Sequence, residues 1–257
     1  MRRLLYKGDI TLTRGDNHVY RAAKKGGGSK YIPTVTTIIN QKDKSKPLMS
    51  WAASMSAKAF DQICPTGMKL HFDEVKKAEA IKAIKNARYT ISDTALQIGK
   101  IVHDYAERRL RGEDINLPVN DQAKKGCEAF DDWLNDNAVE PEELERPVMS
   151  REHWFCGTVD FVGYINGVKT VADFKTSRGI YDEMFMQTSA YKVALEEELG
   201  GEIDQRAIIR FDKEGYGAEF HILPNTHQRD FEAFMACKTL FHFDKSASEN
   251  LKIMRAA

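Results

Sequence analysis

Two aspartates and a lysine stand inside the stretch CGTVDFVGYINGVKTVADFKTS, residues 156–177, where strand residues facing a core would ordinarily be apolar. Asn166-Gly167 between alternating apolar residues predicts a type I′ hairpin, since that turn needs positive φ at both central positions. With Ile165 opposite Val168, Asp160 falls opposite Asp173, and Lys175 shares the face of Asp173. A one-residue bulge would send the carboxylates to opposite faces. Like charges facing across a pair of strands repel. Lys175 alone could offset that repulsion, one carboxyl could keep its proton, or a divalent cation could sit between the two. Hard cations take carboxylate, water and phosphate oxygens. The plainer reading is a solvated charged face on an edge hairpin.

Other residues could join this chemistry. Gln187 and Tyr191 are four apart on a predicted helix over 181–199, so they share a face just after the Lys175 strand. Alone, Tyr191 reads as core and Gln187 as solvent-facing. His103 lies one residue off an apolar helical stripe, with Gly99 one turn before it. A glycine there costs helix propensity and thins the helix beside the histidine, although a lone helical histidine is more often structural. Glu145, in EELERPV, reads alone as an exposed glutamate.

Four patterns occur in order: Gly-x-x-x-His ending at His103, Gly-x-x-Asp from Gly157 to Asp160, Asp-x-Lys from Asp173 to Lys175, and Gln-x-x-x-Tyr from Gln187 to Tyr191. Together they resemble the RecB-like branch of the PD-(D/E)XK nuclease superfamily, which includes phage exonucleases. IPTVTTII and Trp51 are similar to N-terminal signatures of the phage members, and the resemblance covers roughly residues 33–243. It implies a restriction-endonuclease-like α/β core, a mixed β-sheet flanked by helices, here with a helical N-terminal half. It also implies Mg²⁺- or Mn²⁺-dependent hydrolysis of DNA. Asp160, Asp173, His103 and the Phe174 carbonyl would be the metal ligands, the imidazole favouring Mn²⁺ somewhat. Lys175 would orient or deprotonate the attacking water, and Gln187 and Tyr191 would position Lys175 or the phosphate. Glu145 would be a weaker candidate for a water or second-metal contact. Thr176, Ser177 and Arg178, directly after the lysine, would meet the nucleic acid. Some members hold an iron–sulfur cluster through one upstream cysteine and a close group of three. Cys237 has no near cysteine, so no cluster is expected.

The elements that must position these residues read as follows. Residues 4–22 alternate like a hairpin, helices are expected at 48–63, 73–88, 92–113 with Ser92 as N-cap, and 120–136, and strands begin near Glu143. The helix over 181–199 ends at Gly200-Gly201, two strands follow at 205–212 and 217–223, and a last helix covers 226–243. One nuclease domain over 1–257 is expected, in four regions: basic strands and a loop to residue 46, a helical region over 47–137, a catalytic core over 138–243, and a loosely held tail over 244–257.

Net charge is zero, yet residues 1–46 carry eleven Lys and Arg against three Asp and Glu. Within that segment RAAKKGGGSK offers Lys24, Lys25 and Lys30 on a glycine-rich loop that could reach phosphates, or could simply be solvated. No apolar run reaches membrane-spanning length, and the start has no apolar signal region. The four scattered cysteines suggest neither zinc site nor disulfide framework. A cytoplasmic protein, of a bacterium or a phage-infected host, is expected. The absence of G-x-x-x-x-G-K-[ST] disfavours a nucleotide-driven motor. The leading expectation is an exonuclease on single- or double-stranded DNA with free ends, serving recombination, repair or genome processing alongside recombination or replication proteins. An endonuclease of the same fold and a catalytically silent DNA-binding module are the alternatives.

Overall fold

The computed structural model describes residues 1–16, 19–65 and 73–256. The chain divides into two compact units, residues 1–42 with 102–257, and residues 43–101. In the larger unit, strands β1 (Arg2–Leu5), β2 (Ile10–Arg14), β3 (Tyr20–Lys24) and β4 (Lys30–Tyr31) form an antiparallel sheet in chain order. The tip of the expected N-terminal hairpin, residues 17–18, lies outside the described residues. Helix α1 (Val35–Ile39) follows, its Thr34 side chain accepting the Thr37 N–H at 3.1 Å as an N-cap.

The second sheet holds the chemistry. It contains β5 (Val139–Ser150), β6 (Phe155–Ile165), β7 (Val168–Lys175), β8 (Gln205–Phe211) and β9 (Ala218–Ile222), in that spatial order. All neighbours are antiparallel except β7 and β8, which run parallel through the crossover helix α5 (Asp182–Leu199). This is a mixed sheet in an α/β domain. β5 begins at Val139, earlier than Glu143, and tolerates Pro141 and Pro147 as an edge strand can.

Helices cover both faces. Val171 packs in a core cluster with Ala190, Tyr191 and Ala194 of α5 and with Phe234 of α6 (His227–Ala256). Phe174, three residues on, meets Phe130 of α4 (Asp121–Asp136) with centroids 6.4 Å apart. An odd separation in a strand means opposite faces, so α5 and α6 cover one side and α4 the other. Gly200 closes α5 in the left-handed conformation expected of it, with φ +72°.

The helices differ from expectation in two places. One unbroken helix, α3 (Glu74–Leu110), replaces the two expected over 73–88 and 92–113, and Ser92 lies in its interior rather than at a cap. No Gly or Pro separates the two patterns, so backbone hydrogen bonding continues through them. Likewise α6 runs on to Ala256 instead of ending at Phe243 in a loose tail. Residues 244–256 contain Ala, Lys, Glu, Leu and Met but no breaker, which favours helix.

The smaller unit consists of α2 (Ser45–Ile63) and α3 up to Ile101. Met55 and Ala87 are buried within it, and Ser56 Oγ donates to the Ile84 carbonyl at 3.4 Å.

Candidate functional site

The Asn166-Gly167 turn has φ of +51° and +78°, and Ile165 pairs with Val168 as the dipeptide predicts. The regular pairing then stops at Phe161 opposite Ala172, one step short of the expected Asp160–Asp173 pair. Asp160 Oδ2 instead accepts the Phe174 backbone N–H at 2.7 Å. The carboxylate thus satisfies a strand N–H that the hairpin ladder leaves open.

A second irregularity sits on the other side of Asp160. Leu144 pairs with Phe161 and Arg146 with Val159, so Glu145 lies opposite Asp160 across β5 and β6. Glu145 has φ of +48°, uncommon for a residue other than glycine, asparagine or aspartate. Val159 and Val162 both contribute to one core cluster despite their odd separation, so the simple alternation is interrupted between them. Strained backbone of this kind gathers at functional sites.

His103 approaches from α3, its Nδ1 3.7 Å from Asp160 Oδ2. Helix packing places it there. A Cβ on Gly126 of α4 would lie 2.8 Å from Val102 Cγ2, so the glycine lets the two helices close on each other beside the histidine. Tyr105 and Arg109 both bond Asp131 of α4, at 2.6 and 3.0 Å. The His103 ring meets the edge of Phe174 at 6.2 Å. A close helix contact in this unit lies at Gly126, a residue the spacing pattern does not single out.

One ligating atom from each of His103, Glu145 and Asp160 lies within 4.8 Å of the others. Burial, then Asp160, then Glu107 push the Glu145 carboxyl up to about 7. Crowded carboxylates with a nearby imidazole form a set that could hold a divalent cation. Asp173 stands beside this group but outside it. It is 2% exposed, and the Lys175 ammonium contacts its Oδ2. Burial raises the Asp173 pKa, Lys175 opposes the shift, and Asp160 adds to it. Burial also disfavours the charged Lys175, but Asp173 and Asp160 outweigh it and raise its pKa.

Gln187 Nε2 donates to the Tyr191 hydroxyl at 3.0 Å. Tyr191 is buried, not edge-exposed, and burial with the Asp173 charge holds its pKa well above 10. A Cβ on Gly157 would lie 2.6 Å from Tyr191 Cε1. The Gly-x-x-Asp and Gln-x-x-x-Tyr patterns are therefore two halves of one contact, with the ring lying on the bare glycine.

The remaining predicted residues fall in three places. The Phe174 side chain is buried among Phe130, Phe211 and His103, and its N–H serves Asp160. Thr176, Ser177 and Arg178 follow β7 in the loop leading to α5, where Ser177 Oγ donates to the Gly179 carbonyl at 2.8 Å. Lys24, Lys25 and Lys30 are exposed around the β3–β4 turn, which Arg21 pins by two bonds to Ser29, both at 3.1 Å. Tyr20, at the opposite end of β3, reaches Thr158 next to Gly157, at 3.0 Å. Four strand residues, about 13 Å, separate Lys24 from Tyr20, while Lys30 lies opposite Ala22 on β4; none of the three lysines has a contact with the carboxylate cluster among the described residues.

Sequence reasoning undervalues Glu145. Its partnership with Asp160 depends on a bulge between Pro141 and Glu143 that shifts the β5 register. The proline there is the available signal. Neither a known family profile nor a curated protein matches this chain.

Proposed function

We propose that the chain is a metal-dependent deoxyribonuclease on a restriction-endonuclease-like core, acting as an exonuclease at free DNA ends. The observation that supports it most is the convergence of Glu145, Asp160 and His103 beside the Asp173–Lys175 pair at the open end of one hairpin. Three carboxylates and an imidazole fit a hard divalent cation, and the Glu145 carboxyl, pushed up to about 7 by burial and by Asp160, is a crowded acid of the kind a cation relieves. His103, Glu145 and Asp160, with Asp173 next to them, would hold Mg²⁺ or Mn²⁺, which when bound polarises phosphoryl oxygen and acidifies water.

The chain's own contributions follow from the contacts. A phosphodiester is anionic and gains negative charge as it is attacked. The Lys175 ammonium, held by Asp173 in a partly desolvated position, stabilises that charge without reorganising. The same position beside Asp173 lets it orient the attacking water. Tyr191, held between Gln187 and Gly157, fixes α5 against β6, and its ring is close enough to feel the Asp173 charge. Asp160 ties β6 to the Phe174 N–H and so keeps the strands at a set separation.

The test is purified protein with Mn²⁺ or Mg²⁺ on linear single-stranded, linear duplex and closed circular DNA. Loss of both linear forms with intact circles, abolished by EDTA, is the expected outcome. Cutting of circles would assign an endonuclease instead. Binding without cutting in any metal would leave a DNA-binding module. His103→Ala should slow cleavage and raise the Mn²⁺ concentration needed for half-maximal rate. An unchanged metal dependence would remove His103 from the ligand set.

A further inference from the structure

β7 and β8 run parallel, with Lys175 opposite Arg210. The segments that follow them therefore leave the sheet at the same end, the end that carries Asp173 and Lys175. Ligands of parallel sheets gather beyond the carboxyl ends of the strands. Here the two segments are Thr176–Tyr181 and the turn joining β8 to β9, residues 212–217.

That turn is unusually well fixed. Asp212 Oδ1 accepts the backbone N–H groups of Glu214, Gly215 and Tyr216 at 2.8, 3.1 and 3.3 Å. Its Oδ2 accepts from Arg210 Nη1 at 2.8 Å, and its own N–H donates to the Gly217 carbonyl at 2.9 Å. Gly215 and Gly217 supply φ of +102° and +87°. Arg210 also donates to the Ser177 carbonyl at 3.1 Å, which joins this turn to the loop after Lys175. Gln122 of α4 holds Glu214 Oε1 at 3.0 Å, and Lys125 Nζ donates to the Glu214 carbonyl at 3.2 Å.

What this scaffold displays is Tyr216, 87% exposed, with the half-buried Lys213 three residues before it on the same turn. Neither side chain contributes to a core cluster. The nearby carboxylates are already engaged: Asp212 by Arg210 and three N–H groups, Glu219 by Arg210 and His221, Glu214 by Gln122. Arg178, exposed on the neighbouring loop, and Lys213 have no ion-pair partner within 4 Å among the described residues. Burial depresses the Lys213 ammonium and Arg178 depresses it further, with Glu214 and Asp212 offsetting in part. By strand geometry Lys213 is on the order of 10 Å from Lys175.

We propose that Tyr216, Lys213 and Arg178 form a capture element for an unpaired nucleic-acid strand, Tyr216 stacking on a base and the two cations holding flanking phosphates. An exposed ring beside cations is the arrangement that single strands use, because every base offers a π face while paired bases are hidden. The inference rests on the nuclease reading for its substrate, and it makes the three side chains binding and specificity residues rather than catalytic ones.

The test is fluorescence anisotropy in EDTA with a labelled oligothymidylate and a blunt duplex of equal length. Tyr216→Ala should weaken single-strand binding about tenfold or more, leave duplex binding unchanged, and be rescued by Tyr216→Phe. Lys213→Gln with Arg178→Gln should lower the single-strand salt slope by about 1.4, near 0.7 for each phosphate contact. Circular dichroism checks that these surface variants remain folded. In cleavage assays Tyr216→Ala should raise KM for single strands with little change in kcat. Equal single-strand affinity for wild type and Tyr216→Ala overturns the proposal even if linear DNA is degraded. The nuclease reading fails separately, if wild type cuts nothing in any metal while Tyr216→Ala still loses single-strand binding.

Discussion

At the scale of single residues, the Asp173–Lys175 contact favours one of the three ways of offsetting carboxylate repulsion, the lysine. Two facing aspartates suggest that neutralising one would stabilise the protein when no cation is present. The structure gives Asp173 a partly buried ammonium as its neighbour, and a buried charge left without its partner is costly. Asp173→Asn should therefore lower stability in EDTA by about 2 kcal/mol, less than a fully buried pair because relief of the Asp160 repulsion offsets part of it. Thermal melting measures this, and Asp173→Asn combined with Lys175→Met should recover most of the loss. A single variant as stable as wild type would mean that carboxylate repulsion dominates. Turn chemistry made the register legible from Ile165–Val168 as far as Phe161–Ala172, but not the bond from the Phe174 N–H to Asp160 that replaces the expected Asp160–Asp173 pair. The αL conformation of Glu145 was not legible, since glutamate has no particular liking for positive φ and only the neighbouring bulge creates the need.

At the scale of elements, the site depends on how closely α5 lies against β6. Gly157→Ala would drive a methyl group into the Tyr191 ring, since the Cβ position is 2.6 Å from Cε1 and the ring is buried. The expected cost is about 1–3 kcal/mol, the range for overpacking, together with slower cleavage, read by melting and by single-turnover assay. Wild-type stability in the alanine variant would show that the ring has room to move. The junction of α5 and α6 carries a pH dependence. Ser189 Oγ lies 2.9 Å from His227 Nδ1 and donates to the His227 carbonyl at 2.8 Å. Burial, then Lys192 and Arg206, depress the His227 pKa below its ordinary 6.5. The unfolded chain therefore takes up the proton first as pH falls, so this contribution is full above about pH 6.5 and is lost through the lower folded pKa. His227→Gln should flatten the fall in stability between pH 7 and 5, measured by denaturant titration at each pH. An identical pH profile would remove His227 as a source. α5 and its glycine cap were readable from periodicity. The union of two helical patterns into α3 was not, because periodicity marks a face and only a breaker marks an end.

At the scale of the molecule, zero net charge conceals a basic N-terminal segment. Lys24 and Lys25 stand at the end of β3 away from Tyr20 and Lys30 lies opposite Ala22, all three exposed, so they can add affinity for a polyanion from outside the carboxylate cluster. Changing Lys24, Lys25 and Lys30 to Gln should weaken duplex DNA binding and reduce the salt slope by about 0.9 for each phosphate no longer neutralised, with the single-turnover rate unchanged. An unaltered slope would make the turn merely solvated. The division into two units was not legible, since the boundary between Ile101 and Val102 falls inside α3, where no change in composition marks it. No helix among the described residues is long and apolar enough to cross a membrane.

The placement of the first sheet also bears on synthesis. Arg3 bonds Glu143 at 2.6 Å, Tyr6 Oη donates to the Met149 carbonyl at 2.8 Å, and the Tyr6 N–H reaches Glu198 at 3.4 Å, 192 residues further along. At about 5–20 residues per second, the strands that leave the ribosome first wait roughly 10–40 s for the helix that receives them. β1 and β4 are the outer strands of that sheet, each with one strand partner, so their outer edges stand open from the start. The charges on those edges, Arg2 and Arg3 on one and Lys30 on the other, then act as guards for a nascent chain, whatever they do once it is complete.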